Sequence, residues 1–283
     1  GTGYAGSVLQ TTTAGQWTAD GLPIAGETGT TFTIGLEHEG QSIRCANSNA
    51  FGVWIPHGLT GASAVFDLRQ GLTTDASSKV SAWDSQVGGL SATQSSTSAQ
   101  PVLSATALDG GTGLITNGGS SLTLNVSLAP PKRCVVGVTN FAATSSNRTI
   151  LHPSQAGGYQ LRRNSSSHLQ VLASGVTSLA SSSSTIAENA TTLVTTVFEE
   201  GGAYGFRFNG IDAGTGTAGN GLSGTGTMSL FRFADGVFGS LVIVDDTVVS
   251  ADVERIEAWV AHTLGRLDLL SASHPYKTDA PLL

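Results

Sequence analysis

The sequence predicts an all-β protein with one helix near its C-terminus. Charged residues make up only 12% of the 283 residues and there are 37 glycines, which is typical of short strands joined by tight turns. Short runs of alternating apolar and polar residues recur along the chain, separated by Gly, Ser and Asn. A convincing helical period appears in one stretch, about residues 251–264. A lone helix after many strands is expected to pack on a sheet or close it.

Charge and cysteine content argue against several classes of function. The net charge of −7, with 13 Lys and Arg, disfavours nucleic-acid binding, which needs a clustered basic surface. Apolar runs fall short of the roughly 18 residues that a membrane span requires, so no membrane insertion is expected. Cys45 and Cys134 lie far apart and outside any zinc-binding pattern. We therefore predict two buried thiols in separate domains.

Residues 1–58 are predicted to form a small first domain. Its strand signals are SVLQ, QWTAD, TFTIG and QSIRCAN, and the turn residues DGLPIAG separate the second from the third. Trp17 with that turn, and the segment SIRCANSNAFG, resemble the immunoglobulin-like domains of bacterial and phage surface proteins. No cysteine precedes Trp17, so the disulfide of antibody domains cannot form around Cys45. The domain is short for seven strands, which leaves its first strand missing or supplied by a neighbouring segment.

Residues 59–283 are predicted to form a larger domain, after a linker at WIPHG. Many strands at regular spacing with Gly, Ser and Asn turns indicate a sandwich or jelly roll. RCVVGVTNF at 133–141 is predicted to be a central strand, and MSLFRF at 228–233 a later one. The polar stretches SLASSSST at 178–185 and GTGTAGNGLSGTGT at 214–227 are predicted to be loops.

The helix at about 251–264 is defined by its ends and by one apolar stripe. Ser250 is predicted to cap it, and Asp252 and Glu254 lie in the first turn, where the helix dipole favours negative charge. Gly265 is placed to end the helix in a left-handed conformation. The stripe consists of Val253, Ile256, Val260 and Leu264. This face is expected to dock on a sheet.

Four segments in order resemble a concanavalin A-like (laminin-G-like) jelly-roll domain. They are FDLRQG…KVSAWDSQVGGLSATQ…QP (66–101), ALDGGTGLIT (107–116), TTVFEEGGAYGFRFNGI (195–211) and FGSLVIVDD…HPY (238–276). The resemblance implies a sandwich, and it implies glycan binding, as in many members, or glycan hydrolysis, as in some. An immunoglobulin-like domain before such a domain is similar to the make-up of tailed-phage fibre, spike and decoration proteins.

The sequence contains no convincing catalytic or metal-binding motif. Hydrolases of the family carry Glu-x-Asp-x-x-Glu on a strand, but the nearest string, Asp252 to Glu257, lies on the predicted helix and is assigned to dipole stabilisation and solvation. Asp245 and Asp246 are compatible with calcium, which some relatives hold, but two carboxylates are too few to specify a site and a solvated turn is favoured. No catalytic residue, no metal site and no cofactor are predicted, and the protein is not expected to be an enzyme.

Sugar binding would need aromatic rings beside hydrogen-bonding side chains. Tyr159, Arg162, Arg163 and His168, on adjacent predicted strands, form the candidate glycan-binding surface. The alternative is that Tyr159 packs in the sandwich and the arginines are solvated. Trp83 is predicted to be a buried core anchor rather than a ligand contact.

These observations predict a virion surface protein, a fibre, spike or decoration subunit of a tailed phage or phage-like particle. It would bind host-surface polysaccharide through the lectin-like domain. The expected partners are further copies of itself, in a homo-oligomer, or other particle proteins. The alternatives are a purely structural particle protein without a glycan ligand, a polysaccharide-degrading enzyme and a bacterial adhesin.

Overall fold

The computed structural model describes most of the second domain and parts of the first. The described residues are 8–10, 16–19, 22–24, 27–33, 43–46, 62–127, 132–143, 146–175, 177–223, 227–246 and 248–278. Two compact units meet in the sequence at Ile55 and Pro56. The linker predicted at WIPHG lies outside the described residues. None of the described helices combines the length and the apolar character that crossing a bilayer would require.

The first unit contains two small antiparallel sheets around a tryptophan. Its described strands are β1 (Val8–Gln10), β2 (Gln16–Ala19), β3 (Leu22–Pro23), β4 (Thr31–Thr33) and β5 (Ile43–Ala46). β1 pairs with β4, and the other sheet has the order β3-β2-β5. Trp17 lies opposite Cys45 in the β2–β5 ladder and stacks on Phe32 with ring centroids 5.5 Å apart. The immunoglobulin-like assignment stays a prediction.

The second unit continues with strands from β6 to β22. They are β6 (Ala62–Phe66), β7 (Leu72–Thr74), β8 (Val80–Asp84), β9 (Ser91–Thr93), β10 (Val102–Leu108), β11 (Gly111–Asn117), β12 (Leu122–Ser127), β13 (Lys132–Phe141), β14 (Arg148–Pro153), β15 (Tyr159–Arg163), β16 (His168–Ala173), β17 (Thr177–Thr185), β18 (Thr192–Glu199), β19 (Ala203–Phe208), β20 (Ile211–Thr217), β21 (Thr227–Leu230) and β22 (Asp235–Val244). Short 3₁₀ turns occur at Thr97–Ala99 and Leu267–Leu269.

These strands form two antiparallel sheets with an apolar core. One has eight strands in the order β10-β11-β22-β13-β18-β19-β20, with β6 also pairing with β22. The other has nine strands in the order β17-β16-β15-β14-β21-β12-β9-β8-β7. The core includes Trp83, which is fully buried as predicted and donates from Nε1 to the carbonyl of Asp67 at 3.1 Å. The predicted all-β fold class, a sandwich with a C-terminal helix, is confirmed.

The helix α1 (Ser250–Thr263) agrees with the predicted range within one residue, and Gly265 is left-handed at φ +66°. The prediction that Ser250 caps the helix is wrong. Val249 occupies the N-cap, without a side-chain hydrogen bond, and its carbonyl accepts from the amides of Asp252 and Val253 at 3.0 Å. The extended backbone ends at Val249, one residue before the predicted cap, so Ser250 is the first helical residue.

The assignment of Glu257 to solvation is also wrong. Its side chain is fully buried, and its carboxylate accepts from Thr195 Oγ1 at 2.7 Å. It also lies 3.1 Å from Arg207 Nε and 3.3 Å from His274 Nε2. One step of about 100° along a helix places Glu257 next to Ile256, on the face turned to the sheet. A buried charge cluster thus links α1, the eight-stranded sheet and the C-terminal tail.

The proton of His274 can be placed from its two contacts. The amide of Tyr276 donates to Nδ1 at 3.3 Å, so this nitrogen is an acceptor. The hydrogen then sits on Nε2, which faces the Glu257 carboxylate. The cluster therefore joins the Glu257–Arg207 ion pair to a histidine whose Nε2 faces the same carboxylate.

The two stretches predicted as loops are partly strands. SLASSSST lies in β17, an edge strand that pairs with β16, and GTGT belongs to β20. Ser182 shows how a serine run can be ordered, since its hydroxyl accepts from the Leu169 amide at 3.0 Å and donates to the Ser184 carbonyl at 2.7 Å. The serine-rich composition did not predict β17, because the backbone pairing with β16 holds this strand in place and its own side chains have little preference for β structure.

β13 is the central strand that the sequence predicted. It lies between β22 and β18, and almost every residue along it is buried. Val135 belongs to the sandwich core, whereas Cys134 is on the opposite side, where the charge of Glu257 reaches it. Burial, and to a smaller extent that charge, raise the pKa of the Cys134 thiol to about 12. Cys134 therefore carries almost no thiolate at neutral pH. Cys45 is also a buried thiol.

Candidate functional site

The predicted glycan-binding residue Tyr159 lies inside the sandwich. Its side chain is fully buried, and its ring meets Phe198 edge-on with centroids 5.7 Å apart. The Arg133 guanidinium lies over the ring, 4.7 Å from its centroid. Burial raises the pKa of the Tyr159 hydroxyl to about 12, although the Arg133 charge opposes this. The expected exposure of Tyr159 is therefore corrected: its ring is not available to stack on a sugar.

Strand alternation divides the other three predicted residues. Arg163 has the same parity as Tyr159 and is fully buried, with Nη2 2.5 Å from Glu188 Oε1. Arg162 is partly exposed, and its Nη2 donates to Gln170 Oε1 at 3.4 Å. His168 is also partly exposed, with Nδ1 2.9 Å from the Ser182 carbonyl. The structure thus leaves Arg162 and His168 as the accessible members of the predicted set.

The side of the nine-stranded sheet that faces away from the core is called the outer face below. It is defined by His152 on β14, Gln160 and Arg162 on β15 and Gln170 on β16. These residues alternate with core residues, and Leu151 pairs with Leu161. In an antiparallel ladder this register places His152 beside Gln160. Arg162 lies opposite Gln170 on the next strand. The outer face therefore carries polar side chains, of which Gln160 is buried and His152, Arg162 and Gln170 are partly exposed.

One exposed aromatic side chain lies against the outer face. Four large apolar side chains are exposed among the described residues, namely Ile115, Ile211, Phe233 and Val249. Phe233 is the aromatic one, and 51% of its surface is accessible. Its ring meets His152 edge-on with centroids 5.4 Å apart, and the Arg232 guanidinium lies 4.8 Å from its centroid. Ligand sites commonly combine aromatic side chains with a few polar groups, and Phe233 with His152 and Arg232 provides both.

The turn between β21 and β22 holds Phe233 in place. Phe231 points inward and stacks on Phe238 with centroids 4.2 Å apart, whereas Phe233 points outward. Both have positive φ, +61° and +58°, a conformation that bulky residues rarely adopt. Backbone hydrogen bonds fix the turn to its neighbours, among them Gly118 amide to Ala234 carbonyl at 2.6 Å. Strain of this kind persists only where the surroundings impose it, and it often marks a functional position.

Gly236 is required directly after this turn. Its φ is +153°, and a Cβ there would lie 2.3 Å from the carbonyl oxygen of Asn140. A larger residue would push the turn off the sheet end. Glycine at this position therefore helps to fix the orientation of Phe233.

The charges around Phe233 favour a neutral His152 and an available Arg232. Burial lowers the pKa of His152 first, and the Arg232 charge lowers it further. His152 Nδ1 makes no hydrogen bond with the described residues. Asp235, the acidic residue of the same turn, lies 3.9 Å from Arg148. The surface thus presents a cation, a neutral imidazole and an aromatic ring.

Of the two carboxylates considered for calcium, Asp245 does not fit the predicted solvated turn. Asp245 Oδ1 accepts from Arg133 Nε at 2.6 Å, so it neutralises a buried guanidinium. In the described part of the chain, no three or more His, Cys, Asp or Glu side chains come together in a way that could hold a metal ion.

A separate cavity of about 220 Å³ lies where the N-terminal end of α1 meets the eight-stranded sheet. Its lining includes Thr195, Arg207, Asp212, Ser250 and Val253. It shares Arg207 with the buried charge cluster, in which Arg207 Nε lies 3.1 Å from Glu257 and Nη2 donates to the Gly210 carbonyl. The arrangement is that of a packing gap beside a structural ion pair.

Comparison with known proteins finds structures of similar fold but does not assign the chain to a family. No family model matches the chain, and no curated protein matches its sequence. The binding domain of Paraclostridial mosquitocidal protein 1 is similar with a TM-score of 0.51, at 9% identity, over 70% of this chain and 52% of that domain. The likeness is one of fold.

Two further solved structures are more distant. Domain 4 of a GH43 extracellular arabinanase from Geobacillus stearothermophilus, solved with arabinotriose, has a TM-score of 0.43 at 14% identity, over 54% of this chain and 79% of that domain. Trypanosoma rangeli sialidase has a TM-score of 0.48 at 11% identity, over 76% of this chain and 36% of the sialidase. This chain thus spans about half of the mosquitocidal binding domain and about a third of the sialidase.

The sequence prediction missed Phe233 as a surface residue. MSLFRF at 228–233 alternates like a strand, but β21 ends at Leu230 and a turn follows. The available signal was local: two phenylalanines flank Arg232 shortly before Gly236. Alternation alone could not show that the second ring points to solvent.

Proposed function

We propose that the protein is a non-catalytic, glycan-binding surface protein of a tailed phage or phage-like particle. Its sandwich domain would attach to polysaccharide on the host surface, and the immunoglobulin-like first domain would serve as spacer or attachment to the particle. The single observation that carries the glycan-binding role is the half-exposed Phe233 beside Arg232 and His152 on a polar sheet face. The particle location rests on the sequence resemblance of the two-domain arrangement.

The site residues proposed for the glycan are those that the outer face makes accessible. They are Phe233 and Arg232 from the turn, with Arg162 and His168 retained from the sequence prediction. Phe233 would pack against the apolar face of a pyranose ring, while the polar side chains bond its hydroxyls. The proposal of a binding protein rather than a hydrolase is supported by Glu257, whose buried carboxylate is fully used in a structural cluster.

Replacing Phe233 with alanine is expected to weaken polysaccharide binding about tenfold or more, because truncating an aromatic anchor costs on the order of 2 kcal/mol. The measurement is the affinity for purified host capsule, after a glycan array has identified a responding sugar. Ile211→Ala is the matched control, since Ile211 is also an exposed apolar residue but lies on the other sheet. Absence of any glycan signal, together with unchanged adsorption to a capsule-deficient host, would refute the proposal.

A purely structural particle protein is the second candidate. The exposed Ile211 and Val249 favour it, because apolar side chains on a surface are often covered by a partner. Under this alternative, Ile211→Asp would disrupt assembly of the particle, and Phe233→Ala would leave adsorption unchanged. The same two variants therefore separate the two candidates.

A further inference from the structure

Arg162 on the outer face and Arg232 in the turn beside it lack the carboxylate partner that other arginines have. Arg162 makes one long hydrogen bond to Gln170, and Arg232 lies over the Phe233 ring. No described carboxylate is within ion-pair distance of either guanidinium. The arginines paired with an Asp or Glu elsewhere in the second unit are Arg69, Arg133, Arg148, Arg163, Arg207, Arg255 and Arg266. Arg162 and Arg232 are called the outer arginines below.

The outer arginines create a positive area on a negative protein. The chain carries a net charge of −7, so an acidic polymer is repelled by the protein as a whole. Near the outer face, Asp235 lies 3.9 Å from Arg148, and Glu188 lies 2.5 Å from Arg163. Each of those acids has an arginine partner other than Arg162 and Arg232. The two guanidinium charges therefore remain available to a ligand.

The spacing of the outer arginines suits an extended ligand. Arg162 lies opposite Thr149 on β14, whereas the turn with Arg232 and Phe233 contacts His152. His152 lies beside Gln160, and Gln160 and Arg162 are two residues apart on β15, about 7 Å along the strand. A chain of sugar rings can place one ring on Phe233 and a further group at Arg162.

We infer that the outer face recognises glycans that carry repeated carboxylates, that is, polymers of uronic or sialic acids. The inference rests on the proposed glycan-binding function and names its ligand class. A guanidinium can bind a carboxylate through two parallel N–H···O bonds, which are stronger than bonds to neutral hydroxyls. Phe233 packs against the sugar ring, and the outer arginines bind the carboxylates that the sugar carries.

The test compares polygalacturonate and polysialic acid with their carboxyl-reduced forms. Arg162→Gln and Arg232→Gln are each expected to weaken binding of the acidic polymer about tenfold, through the loss of a charge-assisted hydrogen bond. Arg255→Gln removes the same charge from the helix surface and is the control that should bind normally. Thermal unfolding of each variant checks that the fold is intact. Binding of the acidic polymer should also fall with added salt.

The outcomes separate the ligand class from the proposed function. Selective loss with the two outer variants, and weak binding of the reduced polymers, would support carboxylate recognition. Equal binding of native and reduced polymers that still depends on Phe233 would overturn the ligand class and leave the glycan-binding function standing. Equal weakening by Arg255→Gln, or equal binding of dextran sulfate, would indicate general anion attraction and also overturn it. No binding of any polysaccharide would overturn both.

Discussion

Replacing Glu257 with glutamine is expected to lower the free energy of unfolding by about 3 kcal/mol or more, because removing one partner of a buried ion pair leaves the other uncompensated. Arg207 would keep its charge beside a neutral amide, and Thr195 and His274 would lose a carboxylate acceptor. The measurement is the denaturant midpoint of the full chain, followed by circular dichroism.

Glu254→Gln is the matched control for that prediction. Glu254 is on the same helix and lies 3.8 Å from Arg207 Nη1, but it is partly exposed to solvent. Exposed pairs contribute roughly 0–1 kcal/mol, so the control should change stability little. Equal effects of the two substitutions would contradict the structural role of the buried cluster.

Replacing Trp83 with alanine is expected to destabilise the sandwich by about 3–5 kcal/mol, the cost of deleting a large buried aromatic side chain. Trp83 is fully buried, packs against Phe66 with ring centroids 5.1 Å apart, and donates to the Asp67 carbonyl. The alanine variant leaves a cavity and removes the donor from a buried carbonyl. Thermal unfolding gives the measurement.

Phe233→Ala provides the contrast. Because Phe233 is half-exposed, its removal is expected to lower the free energy of unfolding by less than about 1 kcal/mol. The two substitutions are thus expected to have different effects: Trp83→Ala lowers stability, and Phe233→Ala weakens glycan binding. A large loss of stability in Phe233→Ala would mean that the ring is a structural residue and not a binding residue.

The helix could be predicted from the sequence because its signals are local. The apolar stripe, the acidic first turn and Gly265 lie within one short segment, and α1 matches the prediction within one residue. The same local reading failed for Glu257, because its role depends on Arg207 and His274, which come from other parts of the chain. Local periodicity indicates which residues face a sheet but not which charges meet there.

The candidate site was less predictable than the fold. The strand containing Tyr159 and Arg162 was recognised, but its inward and outward faces depend on register and on which sheet covers it. The same alternation that places Leu161 in the core carries Tyr159 and Arg163 inward and leaves Arg162 outside. Phe233 could not be assigned to the surface, because positive φ in a phenylalanine cannot be read from residue type.

The most direct test of glycan binding at the outer face is amide hydrogen exchange of the full chain with and without an oligosaccharide of the host polysaccharide. Binding at the outer face predicts added protection in two segments, 148–163 and 231–236, and no change near Ile211 and the start of α1. Protection confined to Ile211 and α1, with the two outer-face segments unchanged, would contradict it.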